Sequence, residues 1–126
     1  MHIYGSKEEL YKNCNYYDFI NKDGIYFYNK KTHSEILDII SEFKFFIYPA
    51  IIRESFSIST WECLINGCIP IVYNLGAIKE IKDYGGIVVE DNNFENILKY
   101  LKLLLIPKNY YKKIEEIKNL DFSFLN

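Results

Sequence analysis

Two glutamates, Glu54 and Glu62, stand with seven residues between them in the stretch Glu54-Ser-Phe-Ser-Ile-Ser-Thr-Trp-Glu62. Both are acceptor-only side chains when ionised. The first follows an apolar run and falls in a loop, and the second falls inside the helix predicted from about Ser57. At about 1.5 Å per helical residue, Glu62 lies roughly 7–8 Å along that helix. Glu54 precedes the helix by several extended residues, so the two carboxylates sit around 10 Å or more apart. A hydrolytic carboxylate pair spans roughly 5–9.5 Å, so acid/base hydrolysis between them is disfavoured and a ligand lying between them is favoured.

The residues in between fit such a ligand. The free N–H groups of Ser57, Ile58 and Ser59 at a helix start make an anion seat, aided by the positive end of the helix dipole. The serine hydroxyls add donors. A second seat is expected where Gly76-Ala77 enters the next helix, because a backbone without a side chain approaches phosphate closely. Arg53, the only arginine of the chain, adjoins Glu54 and offers a bidentate phosphate contact; a local surface ion pair is the plainer role for it. Glu62 lies among Trp61, Cys63, Leu64 and Ile65, where an unpaired carboxylate is costly. Hydroxyls at both ends and an anion in the middle describe a nucleotide-sugar. Glu80 either caps its helix or faces the same cleft. His33 reads as a surface residue, and the aromatics of 45–48 as core.

The elements that must hold these residues alternate. Strands are predicted at His2–Gly5, Ile25–Tyr28, Lys44–Tyr48, Ile69–Tyr73 and Ile87–Val89. Between them fall helices opened by the pairs Ser6/Glu9 and Thr32/Glu35, each spaced as a capping box. Further helices run from Ser57 to Asn66 with Gly67 as a left-handed stop, around Ile78–Asp83, and from Asn93 to about Leu105, with a Lys/Tyr-rich helix after Pro107. The run 44–48 is apolar enough to be buried on both faces, and Pro70 is tolerable near the start of its strand. Strict alternation predicts an α/β fold, a doubly wound parallel sheet of about five strands with right-handed crossovers. Ligands bind such sheets at the carboxyl ends of the strands, where Glu54, Gly76 and Gly85 are expected.

Composition limits the alternatives. At 126 residues the chain has the length of one domain. It is 49 % hydrophobic and 25 % charged, as in ordinary soluble globular chains. A formal net charge of −2 lacks the basic face of a nucleic-acid binder. Cys14, Cys63 and Cys68 have no metal-ligand spacing; Cys63 and Cys68 read as small buried hydrophobes, and the expected setting is reducing and cytoplasmic. No apolar run approaches the length of a membrane span, and no signal peptide opens the chain.

Taken together, Tyr48-Pro49, Glu54-Ser-Phe56, the gap to Glu62, Asn66-Gly67-Cys-Ile-Pro70-Ile-Val, Gly76-Ala-Ile-Lys-Glu80-Ile and Gly85-Gly-Ile-Val-Val resemble the carboxy-terminal domain of GT-B retaining glycosyltransferases, specifically glycosyltransferase family 4, the group 1 glycosyl transferases. The resemblance covers roughly residues 35–105. It implies a Rossmann-like domain binding a UDP- or GDP-sugar and transferring its hexose with retention, without cofactor or essential metal. It makes Glu54 the contact to the donor sugar at the reacting centre and Glu62 the acceptor from the ribose. The backbone of Phe56, Ser57 and Ile58 then faces sugar and diphosphate. Ser55 and Ser57 stand where the family often has Gly, and Ala77 replaces the second Gly of a common pair. The first, central strand of the family sheet, with its Gly-rich turn and basic pair, has no counterpart, nor has the acceptor domain. In a 3-2-1-4-5-6 order, the strands at 2–5 and 44–48 must then pair directly or leave a place for a partner. The expectation is one partial domain over residues 1–126, completed by a separate acceptor chain or a homodimer. A non-catalytic nucleotide-sugar or protein-interaction module is the alternative. A flavodoxin-like domain lacks support, since no acidic cluster follows the first strand.

Overall fold

The computed structural model describes residues 1–6, 22–53 and 55–125. Beyond Ser6, the helix expected through Asn13 lies outside them, as do Cys14 and Glu54. The chain divides into two compact units, Met1–Asp38 and Ile39–Asn126.

In the first unit, β1 (His2–Tyr4) and β2 (Tyr26–Tyr28) pair in parallel, with His2 opposite Tyr26 and Tyr4 opposite Tyr28. Alternation places His2, Tyr4, Tyr26 and Tyr28 on one face, and their rings stack across the strands. His2 and Tyr26 lie 5.1 Å apart and Tyr4 and Tyr28 4.7 Å apart, centroid to centroid. Offset-stacked cross-strand rings stabilise a ribbon too short to hold itself by backbone bonds alone.

The helix α1 (His33–Ile40) runs out of this unit. Its capping box is formed as the Thr32/Glu35 spacing predicts: the Thr32 N–H donates to Glu35 Oε2 at 2.7 Å, and the Glu35 N–H donates to Thr32 Oγ1 at 3.3 Å. The bonds from the Thr32 backbone and hydroxyl, and then the Lys31 ammonium, hold the Glu35 carboxyl below its ordinary range. A carboxylate whose folded pKa is depressed contributes stability above its unfolded value, and that contribution is lost as pH falls through the folded value. Independently of that titration, loss of the cap in Thr32→Ala costs about 1 kcal/mol of stability at neutral pH. Because the mutant has less cap to lose, its stability should also fall less steeply than the parent's on acidification below about pH 4.5. Parallel urea titrations at several pH values check both expectations, and identical acid profiles would refute the second.

The second unit holds β3 (Phe45–Tyr48), β4 (Ile69–Tyr73) and β5 (Ile87–Val89), paired in parallel in that order. Between them run α2 (Ile58–Ile65) and a 3₁₀ helix, Ala77–Tyr84. After β5 come α3 (Phe94–Leu104) and α4 (Pro107–Lys118). The sheet is covered on both faces. Val72 and Val88 join Trp61 and Leu64 of α2, Ile78 and Ile81 of the 3₁₀ helix and Ile117 of α4 in one cluster. Ile71, Tyr73 and Val89 meet Ile97 of α3 in another. This is the doubly wound α/β arrangement, with every strand parallel.

One expectation needs correcting. The strand over 44–48 is not buried on both faces: Lys44 is exposed and Phe45–Tyr48 are half-buried, whereas every residue of β4 is buried. The cause is order: β3 ends its sheet and β4 is central. Of the two alternatives for the strands at 2–5 and 44–48, direct pairing does not occur among the described residues, whose five strands hydrogen-bond as two sheets, β1–β2 and β3–β4–β5.

Pro70 sits in the central strand at no hydrogen-bonding cost. The Ile69 N–H donates to the Lys44 carbonyl at 2.9 Å, and the Asn74 N–H donates to the Val89 carbonyl at 3.0 Å. Odd residues of β4 thus face β3 and even ones face β5. Pro70 faces β5, whose pairing begins one residue later at Ile71 opposite Ile87, so no ladder bond requires its missing N–H.

The end of α2 explains the two cysteines. Gly67 takes φ +80°, its N–H reaches the Leu64 carbonyl, and the Cys68 N–H reaches the Cys63 carbonyl at 2.9 Å. Those are the two bonds of a Schellman stop, and Cys63 and Cys68 occupy the positions whose side chains meet in that motif. Both are buried free thiols. Their mutual hydrogen bond, and after it burial, pushes the Cys63 thiol far above the ordinary thiol range, so it serves as a small hydrophobe and not as a nucleophile.

Candidate functional site

The carboxyl ends of β3 and β4 lie side by side, since Tyr48 pairs with Val72. From the first, residues 49–57 lead to α2; from the second, Asn74–Gly76 lead to the 3₁₀ helix. Trp61 and Ile78 share one core cluster, which anchors both helices under the same edge. The predicted seats on Ser57–Ser59 and Gly76–Ala77 are therefore neighbours in the sheet.

At the first seat, Ser57 is the N-cap of α2, yet no side chain caps the helix. The Thr60 and Trp61 N–H groups both reach the Ser57 carbonyl, at 3.1 and 3.2 Å. The N–H groups of Ile58 and Ser59 have no partner among the described residues. Ile58 and Ser59 are exposed, so those donors and the helix dipole are open to an anion. Phe56 is half-exposed but fixed, stacked on the buried Trp61 at 5.8 Å and 16° between planes. Trp61 is itself held edge-on by Tyr84 at 5.2 Å and Phe124 at 5.4 Å.

Glu62 lies in the second turn of α2 and is half-buried, beside the fully packed Trp61, Cys63 and Leu64. Ile65 on the same helix is exposed, so the apolar surroundings cover one side of Glu62 only. Arg53 is exposed and makes no ion pair with another described residue. Gly76 opens the 3₁₀ helix at φ 76° and ψ −144°, again without a side-chain cap; that backbone conformation favours Gly. Ala77 follows and is half-buried, Glu80 is exposed within the 3₁₀ helix, and His33 is exposed at the start of α1. Glu54 lies outside the described residues.

Gly85 does not belong to this edge. It ends the 3₁₀ helix in the left-handed region and precedes β5, so it sits at the amino end of that strand, buried against Ile117. The carboxyl end of β5 instead carries Glu90 and Asp91, residues that sequence spacing did not single out. Glu90 accepts a hydrogen bond from Asn74 Nδ2 at 2.6 Å and lies 3.8 Å from Lys82 Nζ. Asp91 accepts from Asn96. No motif surrounds them in sequence; their position at a strand end was the one available signal.

The open spaces of this unit do not follow the chemistry. A groove of about 530 Å³ runs between β5 and α3, lined mainly by apolar surface of Val89, Tyr100 and Leu103 with Glu90, Asp91 and Lys99 at its border. Between the carboxyl ends of β3 and β4, a hollow walled by Tyr48, Ala50, Ile52, Tyr73, Leu75 and Ile78 is too tight for a water molecule. The second location is the candidate, because unpartnered backbone donors adjoin it, whereas Glu90 and Asp91 of the groove already accept from Asn74 and Asn96. The ligand would then lie over the exposed starts of the two helices and not inside a closed cavity.

The sequence matches the family described as glycosyl transferases group 1 over residues 1–120. The chain belongs to that family. No curated protein and no solved structure matches it. Membership implies a nucleotide-sugar donor as the ligand class for this glycosyltransferase chain. Among the described residues, no helix is long and apolar enough to cross a membrane.

Proposed function

We propose that the chain is the donor-binding part of a GT-B retaining glycosyltransferase, corresponding to its carboxy-terminal domain and taking a UDP- or GDP-sugar. The observation that carries this reading is the uncapped start of α2, where the Ile58 and Ser59 N–H groups await an anion. The donor diphosphate lies there and against Gly76-Ala77, with Arg53 as its cation. Glu62, about a turn further along α2, accepts hydrogen bonds from the ribose. Glu54 contacts the hydroxyls of the donor sugar near the reacting carbon, and the fixed ring of Phe56 supports the backbone facing the sugar.

In transfer, negative charge develops on the departing diphosphate. Preorganised N–H donors and the helix dipole stabilise that charge without having to reorient at the moment of reaction. Turnover also needs an acceptor-binding domain opposite this donor site, and the work is done in the cytoplasm.

Calorimetric titration of the chain with UDP and with GDP tests the binding reading, and one of the two should bind with measurable heat. Absence of binding to both would overturn it. Hexose transfer to added acceptor, appearing only with a partner chain, would separate an enzyme half from a module that binds without turnover.

A further inference from the structure

Ser57 has the backbone of an ordinary N-cap, φ −88° and ψ 94°. From that conformation a serine hydroxyl normally accepts from the N–H of the second or third helical residue. Here it does not. Its Oγ lies 2.7 Å from Thr60 Oγ1. Ser57 is 7 % exposed and Thr60 is fully buried, so the two hydroxyls share one hydrogen bond, one donating and the other accepting, in a place where an unpaired hydroxyl is costly.

We propose that Thr60 is a positioning residue for the donor site: its hydroxyl draws the Ser57 hydroxyl inward, off the first N–H groups of α2, and so keeps the anion seat open. This rests on the donor-binding reading above. The third N–H of the helix, that of Thr60, already reaches the Ser57 carbonyl at 3.1 Å. A Ser57 hydroxyl released from Thr60 would therefore turn to the Ser59 N–H, the remaining capping donor. It would thereby occupy one of the two open donors. The helix would gain a cap and the ligand would lose half its seat. Seen this way, Ser57 at the centre of the motif is kept from doing what serine does best at a helix start. Thr60 has no contact with ligand in this scheme; it acts only through Ser57.

The test is a double-mutant cycle read by calorimetry with UDP and GDP, alongside thermal unfolding. Thr60→Val keeps the shape and removes the hydroxyl. Affinity for the nucleotide that the parent binds should fall about fivefold, the worth of one helix cap, while the unfolding midpoint holds or rises. Thr60→Ser, which restores a hydroxyl, should bind within about twofold of the parent. In the Ser57→Ala background no hydroxyl remains to close the seat, so adding Thr60→Val should change affinity by less than about twofold. Parental affinity in Thr60→Val would overturn the proposal. So would an equal loss in both backgrounds, or a loss accompanied by a lowered midpoint, since either marks Thr60 as a packing residue. A parent chain that binds neither nucleotide would overturn the donor-site reading itself, a result distinct from a parent that binds and a Thr60→Val variant that binds equally well.

Discussion

Glu62→Gln weakens UDP or GDP binding by roughly 1–3 kcal/mol, the loss expected when a charged hydrogen-bond acceptor is replaced by a neutral one. The amide matches the carboxylate in size, so packing beside Trp61 and Cys63 changes little. What changes is the acceptor: a carboxylate takes two hydroxyl donors, whereas the amide presents one oxygen and adds an NH₂ that a ribose hydroxyl meets less well. The half-buried setting of Glu62 raises the effect above that of a fully solvated charge. Calorimetry on the parent and the variant decides it. Unchanged affinity would remove Glu62 from the ribose site while leaving the anion seat at Ile58 and Ser59 standing.

The largest effect on stability is expected at Gly85. Its φ is +96°, a region that costs a side-chain-bearing residue about 1–2 kcal/mol. An added Cβ would also run into Ile117 Cγ1 and come to 3.2 Å from Ile117 Cδ1. Overpacking of a buried contact adds typically 1–3 kcal/mol. Gly85→Ala should therefore lower unfolding stability by about 2–5 kcal/mol. Gly67→Ala supplies the control, since its φ is similar at +80° but nothing lies within 4 Å of the new Cβ; it should cost about 1–2 kcal/mol. Urea unfolding of the two variants isolates the clash with α4, and equal losses would show that no such clash exists.

How much of this was legible beforehand depended on whether the signal was local. Thr32 and Glu35 announce a capping box through their spacing, and the bonds form as that spacing requires. Asn93 likewise caps α3 by accepting from the Glu95 N–H at 2.9 Å, and Gly67 stops α2. Each of these is decided within a few residues. Strand order is not. Phe45–Tyr48 is as apolar as Ile69–Tyr73, and only the hydrogen-bonding partners make the first an edge and the second a centre. Gly85 reads as a loop glycine from sequence, and whether it opens or closes a strand depends on where the 3₁₀ helix ends. At the candidate site, residue types pointed to an anion seat on Ser57–Ser59, a proposal that the nucleotide titrations test. The state of Ser57 could not be read, because serine before a helix reads as a cap, and only the buried Thr60 hydroxyl three residues on diverts it.

Pro70 has a consequence for how the sheet assembles. Its ring nitrogen faces the one stretch of β4 where no neighbour asks for a proton. Sliding β4 by one residue against β3 would bring that nitrogen into a position now filled by a donor such as the Ile69 N–H. A carbonyl of β3 would then go unanswered on the side facing the fully buried central strand. A strand made only of Ile, Val and Tyr would tolerate several alignments, because its side chains are nearly interchangeable. The proline removes that degeneracy by penalising the wrong alignments and leaving the right one untouched. It acts as a key cut for one lock, at the amino-terminal start of the strand whose other end leads to the proposed donor site.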